Sequence, residues 1–532
     1  MKIALLIAIA LTELIFCQEE AAIEENGPTV NTGSGPIMGI KAEDHFEFLG
    51  IPYAEAPVGK LRFMPPEPVR PWTETLEATS NGPECPQVPN PFLPGTDDMS
   101  EDCLTLNIFT RNLDNYNPKA VMLWIHGGGF TIGSKNSYRM PRLLEEDVVY
   151  VAINYRLHAL GFLSFGNDLV SGNMGLRDQH LAIQWVRANI HLFGGDPNKI
   201  TIFGESAGGM SVQAQVLSPL NSGLLHGAIA QSGSILFLNI QPRGSEKKSA
   251  RNLAEAVGCP TTLGMETLVC LQNTDFDFVT EAEKISDPTE TNYDLSAESK
   301  FWFWPVIDSY ASTPFLAMDP LEALMTGQFN RIPYMSGTNT YEGALLVGAY
   351  ALIGVTGSDT INIIKPNPNV GLYMHYGQPE VLTQVAKDFY NHPEGDSRVE
   401  QETPALNFFT DIVFTSYDQK SVELMSGHVR NVYNYYLSQK TENSVIGAAF
   451  NLSSDFTPLH GDDIVFLSLP EMDSINADEV STAEAMTKYW ANFAKYGTPS
   501  PVIGDKADTS GLPAWYPVDG DEKVTSSNYT EI

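Results

Sequence analysis

A run of β-branched and apolar residues, Ile200-Thr201-Ile202-Phe203, leads directly into Gly204-Glu205-Ser206-Ala207-Gly208. A strand that ends in Gly-x-Ser-x-Gly and turns at once into a helix holds its serine on a strained corner. The hydroxyl is exposed there, and the next backbone N–H faces whatever the oxygen attacks. Glycine is needed on both flanks, because a Cβ at either position would collide with the tight turn. The following stretch, Ser211–Leu217, is helix-like, so both sides of the corner are present. The pattern therefore predicts Ser206 as a nucleophile and the Ala207 N–H as a donor to its product. An ordinary glycine turn is the alternative.

Such a corner belongs in a parallel sheet, and the surrounding sequence supplies one. Ala120–Ile125, Val148–Asn154, Ile200–Phe203, His226–Ala230 and Ile332–Ser336 are nearly continuous apolar runs, as expected of strands buried on both faces. Asp178–Leu192 has helical spacing, with Leu181, Trp185 and Ala188 on one stripe and Ile183, Val186 and Ile190 beside it. Alternating strands and helices predict an α/β fold: a large central, mostly parallel sheet flanked by helices, with long loop and helical insertions. There is no internal repeat, and Pro86–Pro94 and Pro366–Pro368 read as surface loops. A size prior of roughly 100–200 residues per domain would divide the chain. The motifs below are spread over its whole length and must converge, so a single domain over residues 18–532 is expected.

Met1–Phe16 reads as a secretory signal, with Lys2, the apolar run Ile3–Leu11 and the small residue Cys17 before Gln18-Glu19-Glu20. The apolar run is shorter than the ~20 residues that span a bilayer, so residues 1–17 are a signal peptide rather than an anchor. No later stretch reads as a membrane anchor, and a secreted, extracellular protein is expected. Once Cys17 leaves, Cys85, Cys103, Cys259 and Cys270 remain; four cysteines allow three connectivities, of which pairing near neighbours is the simplest. The sequons at Asn451 and Asn528 are candidate glycosylation sites. The net charge of −34 is unchanged by loss of Lys2 and Glu13, and a polyanion is a poor partner for nucleic acid or anionic membranes.

A serine hydroxyl needs a base to take its proton, an acid to orient that base, and donors to hold the oxyanion. Val121–Ile125 runs into His126-Gly127-Gly128-Gly129-Phe130, where consecutive glycines leave backbone N–H groups unobstructed. Gly128, Gly129 and Ala207 are thus the predicted oxyanion hole. With these residues in view, the chain resembles the type-B carboxylesterases of the carboxylesterase/cholinesterase family, which have the α/β-hydrolase fold. The likeness is carried by Gly50-Ile51-Pro52-Tyr53-Ala54-Glu55-Ala56-Pro57 with Leu61-Arg62-Phe63, by Glu101-Asp102-Cys103-Leu104-Thr105-Leu106-Asn107, and by Phe193-Gly194-Gly195-Asp196-Pro197 through Gly208.

The resemblance favours the pairs Cys85–Cys103 and Cys259–Cys270. It also implies Glu342, in Tyr341-Glu342-Gly343, as the acid; residue chemistry alone does not separate it from other carboxylates. His375, His392, His428 and His460 follow Glu342, as the order serine–acid–histidine requires. His460, in Pro458-Leu459-His460-Gly461-Asp462-Asp463, is loop-borne and similar to the family's histidine motif. Many relatives have glycine three residues earlier, where this chain has Thr457, so the local backbone path is open to question. Glu205 and Ser232 match positions that sit behind the triad in the family.

The reaction implied is two-step acyl transfer on a small-molecule ester, with no metal or cofactor. A specialised cholinesterase is disfavoured, because no tryptophan lies between Cys85 and Cys103 to face a quaternary ammonium. Juvenile-hormone esterases usually carry Gln where Glu205 stands, which disfavours that specialisation too. A non-catalytic adhesion relative would have lost triad residues that are present here. Ile235-Leu236-Phe237-Leu238, where relatives line the acyl pocket, predicts a hydrophobic acyl group, although these residues could equally be core.

Overall fold

Apolar runs bounded by turns are best satisfied by a sheet covered on both faces, and the computed structural model of the chain has one. It describes residues 27–518 apart from 88–97, 241–243, 283–302, 353–383, 385–387, 391–397, 453, 469–475, 504–505 and 508–511, together with 530–532. The signal segment 1–17, most of the loop at 86–94, Pro366–Pro368, His375, His392 and Asn528 lie outside the described residues.

Among the described residues a ten-stranded sheet forms the centre. Its strands are β1 (Ile40–Lys41), β2 (Phe46–Pro52), β3 (Thr105–Thr110), β4 (Lys119–Ile125), β5 (Val149–Ile153), β6 (Gly195–Glu205), β7 (Gly227–Gln231), β8 (Tyr334–Asn339), β9 (Val432–Leu437) and β10 (Thr530–Glu531). Their spatial order is β10-β9-β8-β7-β6-β4-β5-β3-β2-β1. Every pairing from β10 across to β5 is parallel, and the β5–β3, β3–β2 and β2–β1 pairings are antiparallel. The five expected strands are β4 to β8; β6 is longer than expected because it takes in Gly195–Lys199.

Alternation along each strand divides the core. Val121, Leu123 and Ile125 of β4 join Leu181, Ile183 and Val186 of α1 (Met174–Asn189) and Val212 and Val216 of α2 (Ala207–Leu217) in one cluster. Met122 and Trp124 point the other way, into a cluster with Met486, Trp490 and Phe493 of the long C-terminal helix Ala477–Tyr496. Helix α1 begins four residues before the expected Asp178. Buried Met174 and Leu176 continue the apolar stripes there, seven residues before Leu181 and Ile183, and Arg177 is held by Asp308 at 3.0 Å. Because the central strands are parallel, the loops after β4, β6, β7 and β8 leave from one edge of the sheet, the usual place for a site in such folds.

Both disulfides, Cys85–Cys103 and Cys259–Cys270, are present. Asn451 is exposed at the end of a short helix. No described helix is long and apolar enough to cross a membrane.

Candidate active site

Ser206 sits between β6 and α2 with φ 59° and ψ −123°, a region that L residues occupy only when the surroundings compel it. The compulsion is steric. A Cβ on Gly204 would lie 2.4 Å from Ile125 O, one on Gly208 2.1 Å from the same oxygen, and one on Gly233 2.0 Å from Ser206 O. The corner is thus pressed between the ends of β4 and β7, and Ser206 N donates to Gln231 O at 2.8 Å. Ala207 opens α2, so its N–H precedes the first intrahelical bond.

The glycine loop after β4 lies against this corner. A Cβ on Gly127 would be 2.5 Å from Glu205 O and 3.1 Å from Ser206 Cβ. Gly128 and Gly129 have φ of 106° and 62°. Gly128 O accepts hydrogen bonds from Thr131 N and Ile132 N, each at 3.0 Å. No described residue accepts a hydrogen bond from the N–H of Gly128 or Gly129. Gly127 thus packs directly on the Ser206 corner, and Gly128 and Gly129 follow it in the chain.

Glu342 is completely buried just beyond β8. Its Oε1 accepts from Asn339 N at 2.6 Å and from Ser232 Oγ at 2.5 Å, and its Oε2 meets His460 Nδ1 at 2.6 Å. The histidine loop is pinned to the same strand end by Asn339 Nδ2, which donates to Leu459 O at 2.7 Å, and by Tyr341 N, which donates to Pro458 O. Thr457, where many relatives have glycine, is held by its side chain: its Oγ1 accepts from Thr441 N and donates to Ser454 O. Phe414 packs on the imidazole with ring centroids 4.8 Å apart. On the far side of the ring, His460 Nε2 lies 3.1 Å from Glu205 Oε1 and makes no hydrogen bond to Ser206 Oγ. Glu205 directly precedes Ser206, so the imidazole reaches the residue beside the serine without a hydrogen bond to the serine hydroxyl. Catalytic hydrogen bonds are often loose before substrate arrives. His428 lies elsewhere, against Met325 O.

Burial and like charge dominate the electrostatics. Burial pushes Glu205 up to about 8, opposed by His460. Burial alone would lower His460, but the charges of Glu205 and Glu342 outweigh it and carry the imidazole up to about 9. Glu205 and His460 lie 3.1 Å apart, so each acts on the other's proton affinity. Three further buried carboxyl groups, not singled out in the sequence, lie within electrostatic reach of Glu342. Asp463 is raised by burial and accepts from Gln231 Nε2 and Tyr435 OH, each at 2.8 Å. Asp462, up to about 7 by burial, accepts from Leu459 N at 2.6 Å. Asp418, up to about 6 by burial, accepts from Asn434 Nδ2 at 2.7 Å. Asp462 and Asp463 could have been suspected as neighbours of His460; Asp418 carries no such signal.

Ile235 and Leu236 are core residues, whereas Phe237 is half-buried against Trp304 and Tyr417, each with ring centroids 5.6 Å away. Trp304 in turn meets Phe130 of the glycine loop at 5.9 Å. The side chain of Leu238 lies outside the described residues. Among the described residues no group of His, Cys, Asp and Glu has the arrangement of a metal site.

The family model described as the carboxylesterase family matches residues 26–532. A carboxylic ester hydrolase of Bombus ignitus is 34% identical over 520 residues, covering 94% of this chain and 89% of that protein. Venom carboxylesterase-6 of Apis mellifera is 32% identical over 535 residues, 95% of this chain and 91% of the relative. Juvenile hormone esterase of Tribolium castaneum is 31% identical over 535 residues, 93% and 88% of the two chains. The chain belongs to the carboxylesterase family.

Proposed function

We propose that this member of the family is a secreted serine carboxylesterase that cleaves carboxylic esters through an acyl-enzyme. The observation that carries the reading is the hydrogen-bonded run from Ser232 through Glu342 to His460, whose far nitrogen lies 3.1 Å from Glu205, the residue before the strained Ser206. His460 Nε2 takes the Ser206 proton as Oγ adds to the ester carbonyl, and Glu342 holds the imidazolium. The N–H groups of Gly128, Gly129 and Ala207 receive the oxyanion. His460 then protonates the leaving alcohol, and water repeats the cycle on the acyl-enzyme to release the carboxylate.

The half-buried pair Phe237 and Trp304, next to the glycine loop, suits a hydrophobic acyl group. Residues 18–532 act as one catalytic domain. Export is supported by the leader pattern, the two disulfides and the venom origin in one relative's name. Glycans are placed at the exposed Asn451 and at Asn528.

The test is hydrolysis of a simple aryl ester together with labelling by a fluorophosphonate. Ser206→Ala should abolish labelling and leave only the ~10³–10⁴-fold advantage over water that survives a broken triad. Wild-type turnover by that variant would refute the assignment.

A further inference from the structure

We propose that Gln87 is a positioning residue for the oxyanion loop, holding Gly133 and through it the N–H groups of Gly128 and Gly129. The inference rests on the esterase reading above and adds a residue outside the glycine motif. The Gln87 carboxamide pairs with both polar atoms of one residue: Oε1 accepts from Gly133 N at 2.8 Å, and Nε2 donates to Gly133 O at 3.1 Å. Nε2 also donates to Cys85 O at 3.2 Å, which fixes its orientation.

Gly133 is where such a hold matters. Its φ is 116°, and a Cβ there would lie 2.4 Å from His126 Nδ1 and 2.6 Å from Gly127 O, so it closes the base of the loop. The preceding carbonyl, Ile132 O, lies 2.1 Å from where a Cβ on Gly128 would be. A shift of the Ile132–Gly133 peptide is therefore transmitted straight to Gly128. The segment from which Gln87 reaches is itself fixed. Cys85 is bonded to Cys103, Lys135 Nζ donates to Asn81 O at 2.6 Å, and Asn136 Nδ2 donates to Gly82 O at 3.2 Å. A half-buried side chain with neutral hydrogen bonds adds little to global stability. Its consequence is geometric.

The experiment measures kcat, KM and the inhibition constant of a trifluoromethyl ketone for the full chain, Gln87→Ala and Gln87→Glu. Rates are counted per active site from the end point of phosphonate titration, so that misfolded protein does not enter. A misplacement of about 1 Å away from the chemistry can lower a rate about 10²-fold. Gln87→Ala should lose about 10- to 100-fold in kcat with KM within about threefold. The ketone, which needs the oxyanion donors, should weaken in parallel. Gln87→Glu keeps the volume and the acceptor for Gly133 N but turns an anionic oxygen onto Gly133 O and Cys85 O, so its kcat should fall at least as far as that of Gln87→Ala. Should Gln87→Ala fail to fold, this variant carries the test. A reactive wild type whose variants keep both kcat per site and ketone affinity within about twofold would overturn the inference alone. A wild type inert to ester and phosphonate would overturn the esterase reading and the inference with it.

Discussion

The two sides of Ser206 are built from different materials. On one side, residues 126–133 place backbone amides by steric necessity: hypothetical Cβ atoms at Gly127, Gly128 and Gly133 all fall within 2.6 Å of fixed backbone or ring atoms. Its titratable ring, His126, is pushed down to about 4 by burial and stays neutral at working pH. On the other side, Glu205, Glu342, Asp462 and Asp463 crowd around one imidazole in a buried space, where desolvation and mutual charge shift the proton affinities of Glu205, Asp462, Asp463 and His460. One half is governed by space and the other by charge. Substitutions on the first should act at every pH, and those on the second should change the shape of the pH profile.

The largest test falls on the charged side. Glu342→Gln keeps the shape but replaces the acceptor at His460 Nδ1, which disturbs the tautomer; the equivalent change in a serine triad lowers kcat about 10⁴-fold. A loss under tenfold, measured with an aryl ester at pH 8, would mean that Glu342 does not orient the base. Next comes Gly128→Ala. The added methyl meets Ile132 O, and loss of one oxyanion donor typically lowers kcat about 10²- to 10³-fold. The fall should be the same from pH 6 to pH 9; a deficit that varies with pH would break the division between the halves.

How much of this was legible in the sequence follows the same division. Gly204, Gly208, Gly128 and Gly129 could be read directly, because a glycine beside a strand end has few reasons to be there other than close approach. Ser206 and the parallel sheet followed from the same local signals. Glu342 and His460 came from family likeness and chain order, since nothing local separates a buried carboxylate from a solvated one. Asp418 stayed hidden for that reason: it becomes part of the site only when α3 (Ser416–Ser426) packs against β8 and β9 and brings it to Asn434. Gln87 was hidden in the same way, since its partner lies 46 residues away. Burial of polar groups is a property of the assembled sheet edge and leaves no trace in neighbouring residues.

A smaller effect sharpens the charged side. Glu205 raises His460, so Glu205→Gln should let the imidazole lose its proton at lower pH. The acid limb of kcat/KM should therefore move down, while kcat on the plateau changes less than about tenfold. An acid limb that stays in place would show that Glu205 does not raise the imidazole.

The smallest expected effects are on stability, and they separate the halves by sign. Asp418 is raised from 3.8 to about 6, so its stabilising contribution is full below 3.8 and is lost as pH rises through 6. Asp418→Asn should remove up to about 3 kcal/mol of that fall, read from denaturant midpoints between pH 4 and 7. Lys135, beneath the oxyanion loop, is pushed down by burial from 10.5 to about 7. Its contribution is full above 10.5 and is lost as pH falls through 7, so Lys135→Met should flatten the curve above pH 7 instead. Parallel changes in slope from both variants would mean that the carboxylates reach across Ser206, and that the steric half owes its pH behaviour to the charged one.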